Sequence, residues 1–127
     1  MEVKTDTKEK FHVIEVITPH LSANMTEELS NSLLKYLQSP IKNVVLNLKE
    51  IKSLDETAAE SIVKLQQNFY ESNASLVVCG LDKDVEAYLD EKDLLELINL
   101  TPTVSEAGDI VQMEEIERDL LNEEEEM

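Results

Sequence analysis

The sequence predicts an α/β fold, a mixed central β-sheet of four to five strands with about four helices. Three observations lead there. Apolar, β-branched runs alternate with amphipathic helical stretches through the second half of the chain, the order that builds parallel strands with right-handed crossovers. Two of those runs, Val44–Leu48 and Leu76–Cys79, are nearly continuous in apolar residues, as strands covered on both faces are. The opening residues instead read as a strand pair joined by a short turn, which makes the sheet mixed.

In chain order, residues 2–7 form a short strand that pairs with Phe11–Thr18 across the Lys8-Glu9-Lys10 turn, and Pro19 bounds the second strand. Asn24-Met25-Thr26-Glu27 is a capping-box pattern and opens a helix. Leu29, Leu33 and Leu37, with Leu34 and Tyr36 beside them, supply its apolar stripe, and Pro40 ends it. The Val44–Leu48 strand follows. A second helix starts between Asp55 and Thr57, with Ala58, Ile62, Leu65 and Phe69 on its inner face. Leu76–Cys79 is a buried strand that Gly80 ends, and residues 83–91 are a short helix with Val85 and Leu89 inward. Leu97–Leu100 reads as a last short strand. Thr103-Val104-Ser105-Glu106 is another capping box, after which Val104, Ala107 and Val111 share a face. From Met113 the chain turns acidic. Met113, Ile116 and Leu120 keep an apolar stripe, expected to pack on its own domain rather than to form a dimer contact. Residues 113–122 are expected to extend the helix and residues 123–127 to fray, since four adjacent glutamates repel one another. The expected organisation is one domain over residues 1–112 and an acidic extension and tail over 113–127.

Composition narrows the function classes. The chain has 127 residues and a mass of 14.4 kDa, which suits a single domain that folds without a disulfide or metal staple. A formal net charge of −17, from 28 acidic and 11 basic residues, argues against nucleic acid and anionic membrane as partners, because both need clustered cations. One cysteine, Cys79, excludes an intramolecular disulfide framework and a four-cysteine zinc site, and is expected to be buried packing. Two histidines leave little room for a histidine-rich metal centre. His20 is expected to be a surface side chain without a serine or carboxylate constellation, and His12 is given no role. Asp82, Asp84, Glu86 and Asp90 lack the glycine and closing glutamate of a calcium loop and read as a solvated helix face. Only Gly80 and Gly108 are glycines, so no glycine-rich phosphate loop exists, and no cofactor is expected. There is no apolar run of membrane-span length, and the N-terminus is polar, so the expectation is a cytoplasmic protein, monomeric or weakly dimeric.

The chemistry concentrates between Val44 and Ala59. There a buried strand runs into a short loop and a helix N-terminus, and in such sheets partners meet the carboxyl ends of strands. Thr57 falls in the first turn or at the cap. A phosphate on its hydroxyl would add about −1.5 to −2 charges. The helix end favours such a charge by about 0.3–1 kcal/mol. Asp55 and Glu56 oppose it by roughly 1 kcal/mol for each close exposed pair. The phosphate is therefore expected to act outward on a docking surface rather than to order the loop. The plainer alternative is structural: Thr57-Ala58-Ala59-Glu60 is itself a capping box, and Asp55 could simply cap.

This stretch resembles the STAS domain, named for sulfate transporters and anti-sigma factor antagonists. The family pattern is an apolar strand, Asp or Asn, Leu, an apolar residue three further on, then Asp-Ser-Ser-Gly at a helix start. Val44-Val45-Leu46-Asn47-Leu48 matches the strand, Ile51 the apolar position, and Asp55-Glu56-Thr57-Ala58 the last four. Leu21 to Leu29, Leu76 to Gly80 and Ser105-Glu106-Ala107 resemble further parts of the family, so the likeness covers roughly residues 2–112. The resemblance implies that Thr57 takes the place of the second motif serine, which a partner kinase phosphorylates in anti-sigma factor antagonists. It also implies that Asp55 helps hold the loop. Glu56 replaces the first serine, Ala58 the glycine, and Ser22 an aspartate found in some members.

The implied function is a non-catalytic signalling module, not an enzyme. It would bind a kinase-type anti-sigma factor (a serine/threonine kinase of the histidine-kinase-like ATPase type) through Ser53, Asp55, Glu56, Thr57, Ala58, Glu60 and Ser61, regulated by phosphorylation of Thr57. The alternative is a subunit that supports the ATPase of an inner-membrane lipid-transport complex through the same surface.

Overall fold

The computed structural model describes residues 2–126, with side chains described through Leu121. Strand β1 (Glu2–Thr7) pairs antiparallel with β2 (Phe11–Ile17). Every residue of β1 is exposed, and its polar residues suit a solvated sheet edge. Beyond β2 the sheet is parallel: β4 (Asn43–Asn47), β6 (Leu76–Cys79) and β7 (Leu100–Thr101) follow in the order β1-β2-β4-β6-β7. The two nearly continuous apolar runs thus lie side by side in the middle, with every residue buried.

Alternation along those strands divides the core in two. Ile14, Val16, Val44, Leu46, Leu76 and Val78 face the layer that holds α1 (Ala23–Leu34), α2 (Glu56–Glu71) and α3 (Lys83–Glu91). Val13, Val45, Val77 and Cys79 face the opposite side, where Ala107 and Val111 of α4 (Val104–Glu126) cover them. The α2 inner face is as expected: Ala58, Ile62, Leu65 and Phe69 are all buried, and Ala59 joins them. Two glycines serve close approaches. Gly80 turns the chain out of β6 at φ +76, where a Cβ would meet Asn47 Oδ1 at 2.9 Å. Gly108 lets α4 lie against Phe11, whose Cζ is 2.9 Å from where a Cβ would stand.

Several sequence expectations are corrected. Helix α1 is capped by Ser22, whose Oγ accepts from Met25 N at 3.3 Å, and not by the Asn24 box. It ends at Leu34 and tightens into a 3-10 turn over Lys35–Gln38 before Pro40. The expected strand Leu97–Leu100 is reduced to Leu100–Thr101, because Leu95–Leu97 forms a 3-10 turn. A two-stranded parallel ladder, β3 (His20–Leu21) with β5 (Ser53–Leu54), was not expected at all, its strands being too short to show a period. Helix α4 continues to Glu126 instead of fraying from residue 123, and Met127 lies outside the described residues.

The acidic half of α4 also differs from expectation. Met113, Ile116 and Leu120 do not pack on their own domain; they are 55%, 60% and 56% exposed. Polar residues take the inward side there. Arg118 donates to Ser75 Oγ at 3.0 Å and to Asn43 Oδ1 at 3.3 Å, Glu114 accepts from Asn99, and Glu115 accepts from Asn43.

Candidate functional site

The segment between β4 and α2 is held by backbone pairing before any side chain acts. Leu48 and Ile51 are buried, and Ile51 N closes a turn onto Leu48 O at 3.0 Å. Lys52 N and Ser53 N both donate to Pro19 O, at 2.7 and 3.2 Å, and Asp55 N donates to Leu21 O at 3.1 Å. The β3–β5 ladder thus zips the start of α1 to the start of α2. The Lys52 ammonium reaches Asp82 Oδ2 at 3.2 Å, which links the same loop to the start of α3. The Asp82 carboxyl is held below its ordinary range by the Asp84 N–H, and next by Lys52.

Within that zipper, His20 pairs in register with Ser53, and Asp55 lies two residues further on, on the same side of the strand. His20 Nδ1 is 2.8 Å from Ser53 Oγ, and Nε2 is 3.1 Å from Asp55 Oδ1. A neutral imidazole satisfies both contacts if Nε2–H donates to Asp55 and Nδ1 accepts the Ser53 hydroxyl. Asp55 Oδ2 in turn accepts from Ala23 N, the first residue of α1, at 3.2 Å. The expectation that His20 stands apart from any serine or carboxylate is therefore wrong. The residues are 33 and 35 positions away in sequence, and only the short parallel ladder joins them. Both His20 and Asp55 side chains are 48% exposed, so water reaches the cluster. It forms a polar clasp across the mouth of two helices.

The clasp also decides the cap of α2. Asp55 has the extended backbone of an N-cap residue, but its carboxylate makes no capping bond to α2. Of the structural alternatives read from the sequence, Asp55 does stand at the N-cap position but spends its carboxylate on α1 and His20, and Thr57 is the second residue inside the helix rather than the cap. The first amides of α2 are left without that side-chain acceptor. Thr57 is exposed on this turn, and its carbonyl accepts the Ser61 hydroxyl at 2.9 Å. Glu56 is also exposed, with Lys92 Nζ at 3.9 Å from its carboxylate. At that distance and exposure the pair is worth at most about 1 kcal/mol.

Ser53, Asp55, Glu56, Thr57 and Glu60 all lie exposed around this corner, and Ser61 is half-buried beside them. Ala58 does not share the surface. It is 0% exposed and packs inward with Ile62, which removes it from the expected partner-facing set. Thr57 stands at one end of a groove of about 370 Å³ between α1 and α2, lined also by Asn24, Glu27, Ser30, Asn31, Ser61, Lys64 and Asn68. Ala23, Leu34 and Leu65 complete the lining, so the groove mixes hydroxyls, amides and opposed charges with apolar surface. Ser22 caps α1 and adds no carboxylate to the corner.

Other sequence candidates fall away from this corner. Cys79 is 1% exposed in the α4-side core, and burial pushes its thiol up to about 11. His12 is buried, stacked on Tyr36 at 4.1 Å between ring centroids, and bonded to Thr7 Oγ1 and Ile41 O. Asp82 caps α3, with Asp84 N donating to it at 2.9 Å. Among the described residues no group of three or more His, Cys, Asp or Glu side chains is arranged to hold a metal ion, and no helix is long and apolar enough to cross a membrane.

Solved structures share this architecture. The anti-sigma factor antagonist SpoIIAA in its unphosphorylated form superposes with a TM-score of 0.69 at 12% identity, over 87% of this chain and 96% of that one. A serine-to-glutamate variant of RsbS from Moorella thermoacetica gives a TM-score of 0.73 at 15% identity, over 88% and 96%. An anti-sigma-factor antagonist (STAS) domain protein from Planctomyces limnophilus gives 0.70 at 16% identity, over 83% and 93%. At such identities the likeness establishes the fold alone. No curated protein matches the chain by sequence. The STAS domain pattern, however, matches residues 2–107, and with the strand, loop and helix start just described, the chain belongs to the STAS domain family.

Proposed function

We propose that the chain is a non-catalytic signalling module that docks a protein partner on the corner formed by Ser53, Asp55, Glu56, Thr57, Glu60 and Ser61, and that phosphorylation of Thr57 releases it. The observation that carries this reading is that Thr57 is exposed on a turn that the Asp55 clasp and the β3–β5 ladder already hold from outside α2. A phosphate there has little left to order. It changes the surface instead, adding about −1.5 to −2 charges beside Asp55, Glu56 and Glu60, so that a complementary partner must desolvate and oppose them. The module is then a kinase substrate and a ligand. The family resemblance gives the partner class: an anti-sigma factor that is itself a serine/threonine kinase of the histidine-kinase-like ATPase type. One of the similar structures bears on the chemistry, a phosphorylated form of SpoIIAA from Bacillus.

A second reading has one observation in its favour. Glu56 places a permanent charge next to Thr57, which suits a surface that stays docked without a switch, as in a subunit supporting the ATPase of an inner-membrane lipid-transport complex. The test is to capture partners from the native cell and to read the phosphopeptides of the captured protein by mass spectrometry. A kinase-type partner together with phosphate on Thr57 is the expected result. A transport ATPase with Thr57 unmodified would replace the first reading with the second.

A further inference from the structure

Helix α4 keeps one side toward the sheet along its length, but the residues on that side change from apolar to polar. At about 100° per residue, Val104, Ala107 and Val111 fall on one side, and the same side continues through Glu114, Glu115 and Arg118. The first three lie on the apolar core, with Ala107 and Val111 buried in it. The next three lie on the polar end of the sheet, where Asn43, Ser75 and Asn99 engage them. The apolar residues move to the opposite side at the same point: Met113, Ile116 and Leu120 are 55–60% exposed there, and Leu121, 59% exposed, stands on the flank between the two sides. An aliphatic stripe on the solvent side of a helix whose buried side is ionic is not explained by the chain's own packing. It also lies beyond residue 107, where the match to the family ends.

The charge around the stripe selects its occupant. Exposed Glu117 lies between Met113 and Leu121 on the helix surface, and exposed Asp119 borders Ile116. Residues 113–127 contain eight acidic residues and one arginine. A second copy would bring two such helices together with like charges facing. Four half-exposed aliphatic side chains also make a patch on the order of a few hundred Å², against about 800 Å² per partner in a stable interface. An anionic membrane is repelled by the same carboxylates. We propose that the outer side of α4 from Met113 to Leu121 is a second docking surface, for a basic amphipathic helix of a protein partner. Its apolar side would cover Met113, Ile116 and Leu120 while its Lys or Arg side chains meet Glu117 and Asp119. This surface is separate from the Thr57 corner and its test does not involve Thr57.

The probe is a synthetic peptide with leucine along one helical side and lysine along the other, its binding read by fluorescence anisotropy at physiological salt. The variant carries Met113→Gln, Ile116→Gln and Leu120→Gln, which keeps every charge and uses a good helix former at exposed positions, so that circular dichroism should be unchanged. Saturable binding to the wild type and at least tenfold weaker binding to the variant is the expected result. Equal binding to both would reduce the effect to bulk acidity and overturn the proposal, as would no saturable binding to the wild type. Sedimentation and vesicle flotation cover the other occupants. A concentration-dependent dimer that the triple variant abolishes would assign the stripe to a second copy. Wild-type association with phosphatidylcholine vesicles, lost in the variant, would assign it to lipid. Either would overturn the proposal.

Discussion

Helices α2 and α4 carry comparable apolar stripes and do opposite things with them. In α2 the spacing Ala58, Ile62, Leu65, Phe69 stays on one side, and that whole side is buried. In α4 the stripe holds that position as far as Val111 and then reappears on the outer side, while glutamate and arginine face the sheet. The difference teaches that a helical period reports that a stripe exists, and that only the neighbouring element decides whether it is core. For α2 the neighbour is an apolar sheet face and helix α1. For the second half of α4 it is the polar sheet end built by Asn43, Ser75 and Asn99.

The comparison breaks most sharply on truncation. Phe69→Ala, at a fully buried position, should cost about 3–5 kcal/mol in urea unfolding. Leu120→Ala, at a position 56% exposed, should stay within about 0.5 kcal/mol. Similar costs at the two sites would mean that the outer side of α4 is packed in solution.

The first half of α4 can be probed through the thiol it helps bury. Folding raises the Cys79 thiol from 9.0 to about 11 by burial, so the unfolded chain gives up that proton first as pH rises. The associated stability is fully present below pH 9 and is lost as pH climbs through 11, by on the order of 2 kcal/mol. Unfolding measured from pH 8 to 11 should therefore fall more steeply for the wild type than for Cys79→Ala. Parallel pH profiles would place the thiol in water.

The Thr57 corner should respond more weakly, because polar contacts hold it rather than core. Asp55→Ala removes the bonds to Ala23 N and His20 and should cost about 1 kcal/mol. His20→Ala should cost less. A double-mutant cycle should find a coupling of no more than about 1 kcal/mol between the two, as befits a half-exposed pair. A larger coupling would mean that the clasp is drier than its exposure indicates.

These contrasts follow how legible each part was in the sequence. The central strands and the α2 inner face were readable because each is long enough to show its period and each meets an apolar neighbour. The Asp55-Glu56-Thr57 turn was readable as a helix start after a buried strand. The His20–Ser53–Asp55 clasp was not, since it depends on two strands of two residues each, paired across more than thirty positions. Ala58 was read both as inner face, from its place four before Ile62, and as partner-facing, from its exposed motif neighbours, and its burial agrees with the first. The side of α4 that meets the sheet was hidden for the same kind of reason: the polar partners Asn43, Ser75 and Asn99 come from distant segments.

The central claim is that charge at Thr57 controls docking on a rigid corner. Its most direct test is quantitative partner capture from the native cell with Thr57→Ala and Thr57→Asp as paired baits, their folding checked by identical unfolding curves. The account predicts a partner retained by Thr57→Ala and lost, by tenfold or more, from Thr57→Asp. Equal recovery on the two baits would contradict it and leave the corner as a docking surface without a switch.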